Sequence, residues 1–403
     1  MKRREFLALT GSALAFPYVA RAQQSSAIDA ALRGAVGRKE IAGVVAMATD
    51  RSKTLYQGAF GTTDLATGAA MRADTMFRIA SMTKPVTSLA AAQLMEQGRF
   101  ALEDPVEKYL PQFAKLSVFE SFDGATGAYK VRPAARSVTV RHLFTHTSGL
   151  GYGFTSPIVR DFKPRAGEEY PVGPLLFEPG ERWLYSTSTD WLGRLVEKIS
   201  GMSLEEYFRR NIFDPLQMPD TSYIVPAEKQ ARVVTVSRRQ ADGTLVKDSV
   251  QPPLTGFTPI GGGGLCSTAG DYSRFIRMLL NGGELAGARV LKADNVALMS
   301  RNHIGSLGVP AIKTALPGRS DDFSFIADGR DKWGLGFLIT ADAAPGLRSP
   351  GSLSWGGIFN TYFWVDHTRG LGGMILMQFL PFADRKALAL YSDFERGVYQ
   401  VAT

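Results

Sequence analysis

Strand-forming sequence lies near both ends of this chain, with helix-forming sequence between them. Segments 41–49 and 53–60 are rich in residues that favour strands and are separated by a short polar turn, which predicts a hairpin. Segments 333–340, 353–365 and 370–379 have a similar character, with many aromatic, isoleucine and glycine residues. Because strands must bury a face against other elements, we expect one antiparallel sheet built from both termini and flanked by helices, an α+β fold with an inserted, mainly helical domain.

The domain boundaries follow from this arrangement. We expect residues 23–78 and 240–403 to form the α/β domain that holds the antiparallel sheet, and residues 79–239 to form the inserted helical domain. Hydrophobic periodicity and capping signals predict helices at 28–38, 81–97, 138–145, 188–199, 204–210 and from about Arg385 to the end of the chain.

The first 22 residues have the pattern of a signal peptide. A basic start that includes Arg3 and Arg4 precedes an apolar run at 7–16, and the small–x–small sequence at 20–22 is typical of a cleavage site. The adjacent arginines favour a twin-arginine signal, and an ordinary secretory signal is the alternative. Both predict an exported protein, periplasmic or secreted.

Charge, hydrophobicity and cysteine content argue against a nucleic-acid partner, a membrane-spanning segment and an internal disulfide. The formal charge is +8, the basic residues are dispersed, and no run indicates a nucleic-acid surface. No segment after the N-terminal run approaches 18 uninterrupted apolar residues, so we expect no stable membrane insertion. The single cysteine, Cys266, allows no internal disulfide and is predicted to be a buried structural thiol. Nothing here indicates an oligomeric state.

Ser81-Met-Thr-Lys84 is the chain's one Ser-x-x-Lys sequence. Positions i and i+3 share a helix face, so the hydroxyl and the amine can meet, and burial or a neighbouring cation can make a lysine a general base. Pro85 is compatible with a helix only in its first turn, which places the helix start near Ser81. This motif alone still favours a simpler interpretation, with Ser81 as a helix cap and Lys84 in solvent.

Several further segments occur in an order that gives the motif a context. Residues 77–84, 143–150, 177–186, 261–273 and 333–337 together resemble the signature stretches of the serine β-lactamase and D,D-peptidase superfamily. The resemblance covers most of the chain and is strongest to class C β-lactamases and family VIII carboxylesterases. It implies a β-lactamase-like fold, a serine acyl-enzyme mechanism and no cofactor.

The resemblance also implies roles for individual residues. Ser81 would be the nucleophile, Lys84 its base and Tyr185 a proton shuttle, at the interface of the two domains. The backbone N–H groups of Ser81 and Ile358 would form the oxyanion hole. Thr187 stands where the family has asparagine, and its hydroxyl is expected to reach Lys84 although it offers no amide to a substrate.

Trp355-Gly356-Gly357 stands where the family's third motif is usually Lys-Thr-Gly. Losing a cation and gaining an indole favours a neutral ester over an anionic β-lactam, and the two glycines would let the strand approach a substrate closely. Aromatic residues that could line an acyl pocket, of which only some are expected to do so, are Tyr152, Phe154, Trp355, Phe359 and Tyr362.

Three functions therefore compete. The first is a carboxylesterase that hydrolyses short-chain or compact small-molecule esters. The second is a class C-type β-lactamase or D,D-peptidase acting on β-lactams or cell-wall peptides, which needs a cation near position 355 that Arg348 or Arg369 could supply if the fold brings either close. The third is an exported binding protein, in which Ser81 would take up no covalent label.

Metal and triad chemistry are not expected. His142 and His146 have the i, i+4 spacing of a zinc pair, but Leu143 stands where the glutamate base would be. No Gly-x-Ser-x-Gly elbow is present for a Ser-His-Asp triad. The run Gly261–Gly264 lacks the Gly-Lys-Ser/Thr that a phosphate-binding loop requires, and a tight turn or sheet bulge explains it better.

Overall fold

The structure of the chain is a computed structural model that describes residues 15–324 and 329–402, with side chains from residue 26 onward. The predicted signal peptide, residues 1–22, lies mostly outside the described residues, and export stays a prediction. Among the described helices, none combines the length and the apolar character that crossing a bilayer requires.

The described strands are β1 Gly43–Asp50, β2 Thr54–Gly61, β3 Phe77–Arg78, β4 Ser117–Phe122, β5 Tyr129–Pro133, β6 Ser237–Arg239, β7 Leu245–Lys247, β8 Cys266–Ser267, β9 Glu284–Leu285, β10 Ala288–Arg289, β11 Lys332–Trp333, β12 Leu338–Ile339, β13 Leu353–Gly357, β14 Thr361–Asp366, β15 Leu371–Leu376 and β16 Phe379–Leu380.

The described α-helices are α1 Ala15–Gly37, α2 Thr83–Glu96, α3 Val140–Thr145, α4 Pro157–Asp161, α5 Ser188–Ser200, α6 Leu204–Phe208, α7 Ala269–Leu280, α8 Ala293–Met299 and α9 Arg385–Ala402. Shorter helical turns are the 3₁₀ turns Ala80–Met82, Val106–Lys108, Pro111–Phe113 and Ala227–Arg232, and a π-helical turn at Arg209–Phe213.

The main sheet has seven strands in the order β11-β12-β13-β14-β15-β1-β2, and every neighbouring pair is antiparallel. β1 near the start of the chain lies between β2 and β15, with Val45 opposite Leu376. The prediction of one antiparallel sheet built from both ends of the chain is therefore confirmed.

Two predicted single strands are hairpins. Segment 353–365 divides into β13 and β14, because the chain reverses at residues 358–360 and Asn360 adopts a left-handed conformation with φ 61°. Asparagine tolerates this conformation better than most residues. Segment 333–340 divides in the same way into β11 and β12. The hairpin β4–β5, which lies in the segment predicted to contain helices and loops, was not predicted.

The sheet is covered on both faces, and for this reason β14 and β15 are buried along their whole length. α7 packs against β1, β14 and β15, while α1 and α9 pack together on the sheet. Successive side chains of β14 point to opposite faces. Phe363 contacts Tyr272 of α7, whereas Trp364 contacts Phe394 of α9.

α2 lies at the centre of the helical region and is buried from Thr83 to Leu94, in contact with α5 and α6. A helix that is enclosed all round must be apolar or hydrogen-bonded on every face, which accounts for its many alanines and its buried threonines. The division of the chain at residues 78/79 and 239/240 stays a prediction.

Candidate active site

Ser81 lies in a sharp turn held between two chain segments. β3 pairs with β8, and Ile79 N–H donates to the carbonyl of Leu265 at 2.9 Å, so the turn Ala80–Met82 is fixed beside the glycine-rich loop. Ala80 has φ 45°, a left-handed conformation that a non-glycine residue adopts at a cost of about 1–3 kcal/mol. The side chain of Ser81 remains partly exposed at the start of α2.

Lys84 is 1% exposed, and three oxygens surround its ammonium group. Nζ donates to the carbonyl of Gly262 at 2.7 Å, to Tyr152 Oη at 3.1 Å and to Ser81 Oγ at 3.3 Å. Because an ammonium has three N–H donors, these oxygens satisfy it completely. The interpretation of Lys84 as a solvated surface lysine is therefore wrong.

Tyr185 completes the cluster that the sequence predicts. Its hydroxyl donates to Ser81 Oγ at 2.7 Å, and Lys84 Nζ lies 4.8 Å from the centre of its ring. The ring packs against Trp355 with centroids 4.9 Å apart. The structure thus brings Ser81, Lys84 and Tyr185 together within hydrogen-bonding reach.

Two more side chains join this cluster in ways that the sequence did not indicate. Tyr152, expected only as a pocket aromatic, accepts from Lys84 and donates to Asp190 Oδ2 at 3.4 Å. Asp190 Oδ1 accepts the N–H of Gly262 at 2.7 Å. Acidic residues are common in the first turn of a helix, so nothing in the sequence distinguishes Asp190 at the start of α5.

The environment sets the charges of this pair. Burial raises the pKa of Asp190 above its usual range, and the positive charge of Lys84 opposes the rise. Burial, with the nearby Asp190 carboxylate, raises the pKa of Tyr152 well above its usual value. The Tyr152 hydroxyl therefore keeps its proton and can act as a donor to Asp190.

The glycine-rich run allows the backbone to approach these groups. Residues 261 and 262 form a tight turn closed by the pairing of Ile260 with Gly263. A Cβ on Gly262 would lie 2.5 Å from Asp190 Oδ1, and one on Gly261 would lie 2.2 Å from the carbonyl oxygen of Thr189. The predicted tight turn is confirmed, and it supplies the carbonyl that accepts from Lys84.

β13 lies beside the nucleophile segment. A Cβ on Gly357 would come within 2.2 Å of the carbonyl oxygen of Ile79, so only glycine allows this approach. Ile358, the next residue, is half-buried at the start of the β13–β14 turn. The donor role of its N–H group stays a prediction.

Trp355 differs from the expectation that its indole contacts substrate. It is 2% exposed, and its ring packs against Tyr185 and, at 4.7 Å, against Trp333. Strand alternation turns the indole toward these rings. In this structure the indole supports the Tyr185 ring and is almost fully enclosed.

The other candidate substrate contacts are distributed around the cluster. Phe154 is half-buried and stacks on Tyr152 with centroids 5.2 Å apart, and Phe359 is half-buried in the turn after β13. Tyr362 is fully buried, stacks on Tyr391 and donates to Asn360, so it belongs to the core.

Thr187 is not a partner of Lys84, contrary to expectation. It precedes α5, and its carbonyl accepts the N–H of Asp190. Lys84 bonds instead to Tyr152 and Gly262, which approach it more directly from the loops on either side.

Neither proposed cation lies beside Trp355. Arg348 is buried against α9, where it pairs with Glu395 and donates to Tyr391. Arg369 lies over the ring of Tyr399 of the same helix. Both are engaged at the α9 face of the sheet.

The histidine pair does not share a helix face. His142 Nδ1 accepts the N–H of Thr139 in the cap of α3, while His146 ends that helix with φ 56°. Within residues 26–324 and 329–402, no group of three or more His, Cys, Asp or Glu side chains could hold a metal. Cys266 is buried, and burial raises the pKa of its thiol to about 11, which confirms the structural interpretation.

Comparisons with known proteins match most of the chain. The family model described as Beta-lactamase matches residues 28–396. Protein Rv1367c of Mycobacterium tuberculosis is 35% identical over 85% of this chain and 86% of its own length. Monacolin J acid methylbutanoyltransferase of Aspergillus terreus is 31% identical over 92% of this chain and 95% of its own, and lovastatin esterase of Penicillium rubens is 29% identical over 93% and 98%.

Among solved structures, a variant of simvastatin synthase from Aspergillus terreus superposes with a TM-score of 0.79 at 28% identity. The match covers 97% of this chain and 98% of that one. The β-lactamase-like fold class predicted from the sequence is confirmed.

Proposed function

Because the chain belongs to the beta-lactamase family of serine hydrolases and acyltransferases, we propose that it is a carboxylesterase of the family VIII type that hydrolyses compact, neutral esters. The observation that carries the proposal is the cluster in which Ser81 Oγ lies 2.7 Å from the Tyr185 hydroxyl and 3.3 Å from Lys84 Nζ. A nucleophile, a base and a second proton carrier in mutual contact are what acyl transfer requires.

The reaction proceeds through an acyl-enzyme. Ser81 Oγ attacks the ester carbonyl as Lys84, acting as the base, takes up its proton. Tyr185 gives its hydroxyl proton to the leaving alkoxide and regains one from Lys84, and the alcohol departs. Water attacks the acyl-Ser81 by the reverse route, releasing the carboxylic acid and restoring Ser81.

The backbone supplies the oxyanion hole in this proposal. The N–H groups of Ser81 and Ile358 bind the carbonyl oxygen as it becomes negative, and such donors contribute on the order of 10²–10³ in rate each. The close approach of Gly357 to Ile79 supports this arrangement, since it brings β13 alongside the nucleophile turn. The site then lies between the helical domain at 79–239 and the sheet domain formed by 23–78 and 240–403.

Charge supports a neutral substrate. The described charged side chains of the cluster are Lys84 and Asp190. Both are hydrogen-bonded within the cluster, so neither is free to bind an anionic ligand. Arg348 and Arg369, the cations that a β-lactam would need, are engaged elsewhere. Phe154 and Phe359 are the remaining candidates for contact with an apolar acyl group.

Transfer to an alcohol other than water is the second candidate function. It is favoured by the methylbutanoyltransferase that is 31% identical over 92% of this chain. Hydrolysis and transfer share the acyl-Ser81 intermediate, so they differ only in which hydroxyl attacks it.

Parallel rate measurements test the proposal. We expect p-nitrophenyl acetate and butyrate to be turned over about 10–100-fold faster than a chromogenic cephalosporin, because a carboxylate-binding cation is absent from the described site and a lost charged hydrogen bond costs roughly 1.5–3 kcal/mol. Adding a primary alcohol and following the new ester separates transfer from hydrolysis. Faster turnover of the cephalosporin would place the protein among the β-lactamases.

Replacing Tyr152 by phenylalanine should lower kcat for p-nitrophenyl butyrate about 10–100-fold with little change in KM. The substitution removes the hydroxyl that joins Lys84 to Asp190, and hydrogen bonds to charged groups contribute about 1.5–3 kcal/mol. Tyr109→Phe is the matched control, because the Tyr109 hydroxyl also bonds an aspartate, Asp104, but lies away from the cluster. Equal kcat values for both variants would exclude a role for Tyr152 in the proton network.

A further inference from the structure

His146 is bonded to both chain neighbours of Tyr185. Its carbonyl oxygen accepts the N–H of Leu184 at 2.9 Å, and its Nδ1 accepts the N–H of Ser186 at 3.3 Å. A single residue therefore fixes the backbone immediately before and immediately after the tyrosine. The left-handed conformation of His146, with φ 56° and ψ 33°, accompanies this geometry at the end of α3.

The imidazole ring also lies against the tyrosine ring. Its centroid is 5.1 Å from that of Tyr185, 5.1 Å from that of Trp333 and 6.0 Å from that of Trp183. All three contacts are edge-to-face. The rings of this cage leave Tyr185 little freedom to turn away from Ser81.

The hydrogen bonds assign the tautomer of His146. When Nδ1 accepts the N–H of Ser186, the ring proton is on Nε2, and the Ser186 hydroxyl, 3.1 Å from Nδ1, can donate to the same nitrogen. Nε2 is buried and has no hydrogen-bond partner among the described residues. Burial and the charge of Lys84 lower the pKa of His146 well below its usual value, which keeps Nδ1 free to accept.

We propose that His146 is a positioning residue for the reaction, holding Tyr185 at hydrogen-bonding distance from Ser81 through the two amides that flank it and through ring contact. The inference rests on the proposed function, since it assigns Tyr185 the transfer of a proton to the leaving alcohol. His146 itself touches neither substrate nor the reacting atoms.

A pair of variants separates the hydrogen bond from the packing. His146→Phe keeps an aromatic ring but loses the acceptor, so the buried N–H of Ser186 is left unsatisfied and the temperature of unfolding should fall. His146→Asn keeps an oxygen near the position of Nδ1 and suits the left-handed conformation. Thermal unfolding and circular dichroism report how much of each variant is folded.

The decisive readout is the dependence on the leaving group. Ethoxide needs protonation to depart, whereas p-nitrophenolate does not. A displaced Tyr185 should therefore slow the hydrolysis of ethyl butyrate more than that of p-nitrophenyl butyrate. We expect His146→Phe to lower kcat/KM for ethyl butyrate about 30–100-fold, less than the 10²–10⁴ contributed by general acid catalysis, because Tyr185 is displaced but not removed. The ratio of kcat/KM for p-nitrophenyl butyrate to that for ethyl butyrate should rise at least about 3-fold. The kcat/KM of His146→Asn for ethyl butyrate should stay within about 5-fold of that of the unaltered protein.

Combining His146→Phe with Tyr185→Phe completes the test. If His146 acts through Tyr185, the double variant should hydrolyse ethyl butyrate within about 3-fold of Tyr185→Phe alone, because effects of residues that act as a unit do not add. Three results would overturn the inference while the proposed function stands. The two substitutions could have independent effects that multiply in the double variant, or His146→Phe could leave the ratio of the two ester rates unchanged. The third is a His146→Phe variant whose kcat/KM for ethyl butyrate equals that of the unaltered protein. Absence of ester turnover in the unaltered protein would overturn both.

Discussion

Replacing Ser81 by alanine should reduce kcat for ester hydrolysis by a factor on the order of 10⁴ or more. The reason is chemical, because the hydroxyl is the atom that would carry the acyl group, and no neighbouring side chain can take its place. Oγ bonds only to Lys84 and Tyr185 among the described residues, so its removal should leave the fold intact.

The measurement is kcat for p-nitrophenyl butyrate, with fluorophosphonate labelling detected by intact mass. Ser137→Ala is the matched control, because Ser137 bonds Glu107 at the exposed surface and lies away from the cluster. Equal ester rates for Ser81→Ala and the unaltered protein would show that the nucleophile is another residue. Labelling of the unaltered protein alone would also exclude the non-covalent binding function considered from the sequence.

Replacing Lys84 by methionine should lower kcat about 10²–10⁴-fold, which is the usual contribution of a general base. Methionine fills a similar volume in the buried site, so packing is largely kept. The change also removes the positive charge that lowers the pKa of Asp190. The pKa of Asp190 therefore rises further, and the carboxyl can take up a proton and avoid remaining as an unpaired buried charge.

Thermal unfolding, kcat and the pH dependence of kcat/KM check this expectation together. Lys247→Met is the control, because it removes a surface lysine paired with Asp64. If kcat of Lys84→Met stayed within about 10-fold of that of the unaltered protein, Tyr185 alone would have to act as the base for Ser81. Loss of the folded state would show instead that the cation contributes mainly to stability.

The local part of the site could be predicted from the sequence. Ser81 and Lys84 are three residues apart, so helix geometry alone brings them together. Tyr185 required the resemblance to a family, because nothing in its own surroundings distinguishes it. Asp190 and the carbonyl of Gly262 were missed, since their contacts join segments about 70 and 180 residues apart.

The prediction for Trp355 failed for a related reason. A period-two pattern identifies a strand but does not say which face meets the site, and a strand buried on both faces gives no alternation to read. The turn at Asn360 went unrecognised as well, so 353–365 was taken for one strand. Both errors concern β13 and the turn that follows it, where the course of the backbone decides which groups the side chains contact.

The pairing of β1 with β15 has a consequence for how the chain reaches its final form. Residues 45 and 376 lie opposite each other in the sheet although most of the polypeptide separates them. Synthesis begins at the N-terminus, so β1 and β2 leave the ribosome long before their neighbour exists. Closing so large a loop is slow, and the early hairpin presents an unpaired edge in the meantime. A chaperone, or rapid burial by α1, would protect that edge until translation ends.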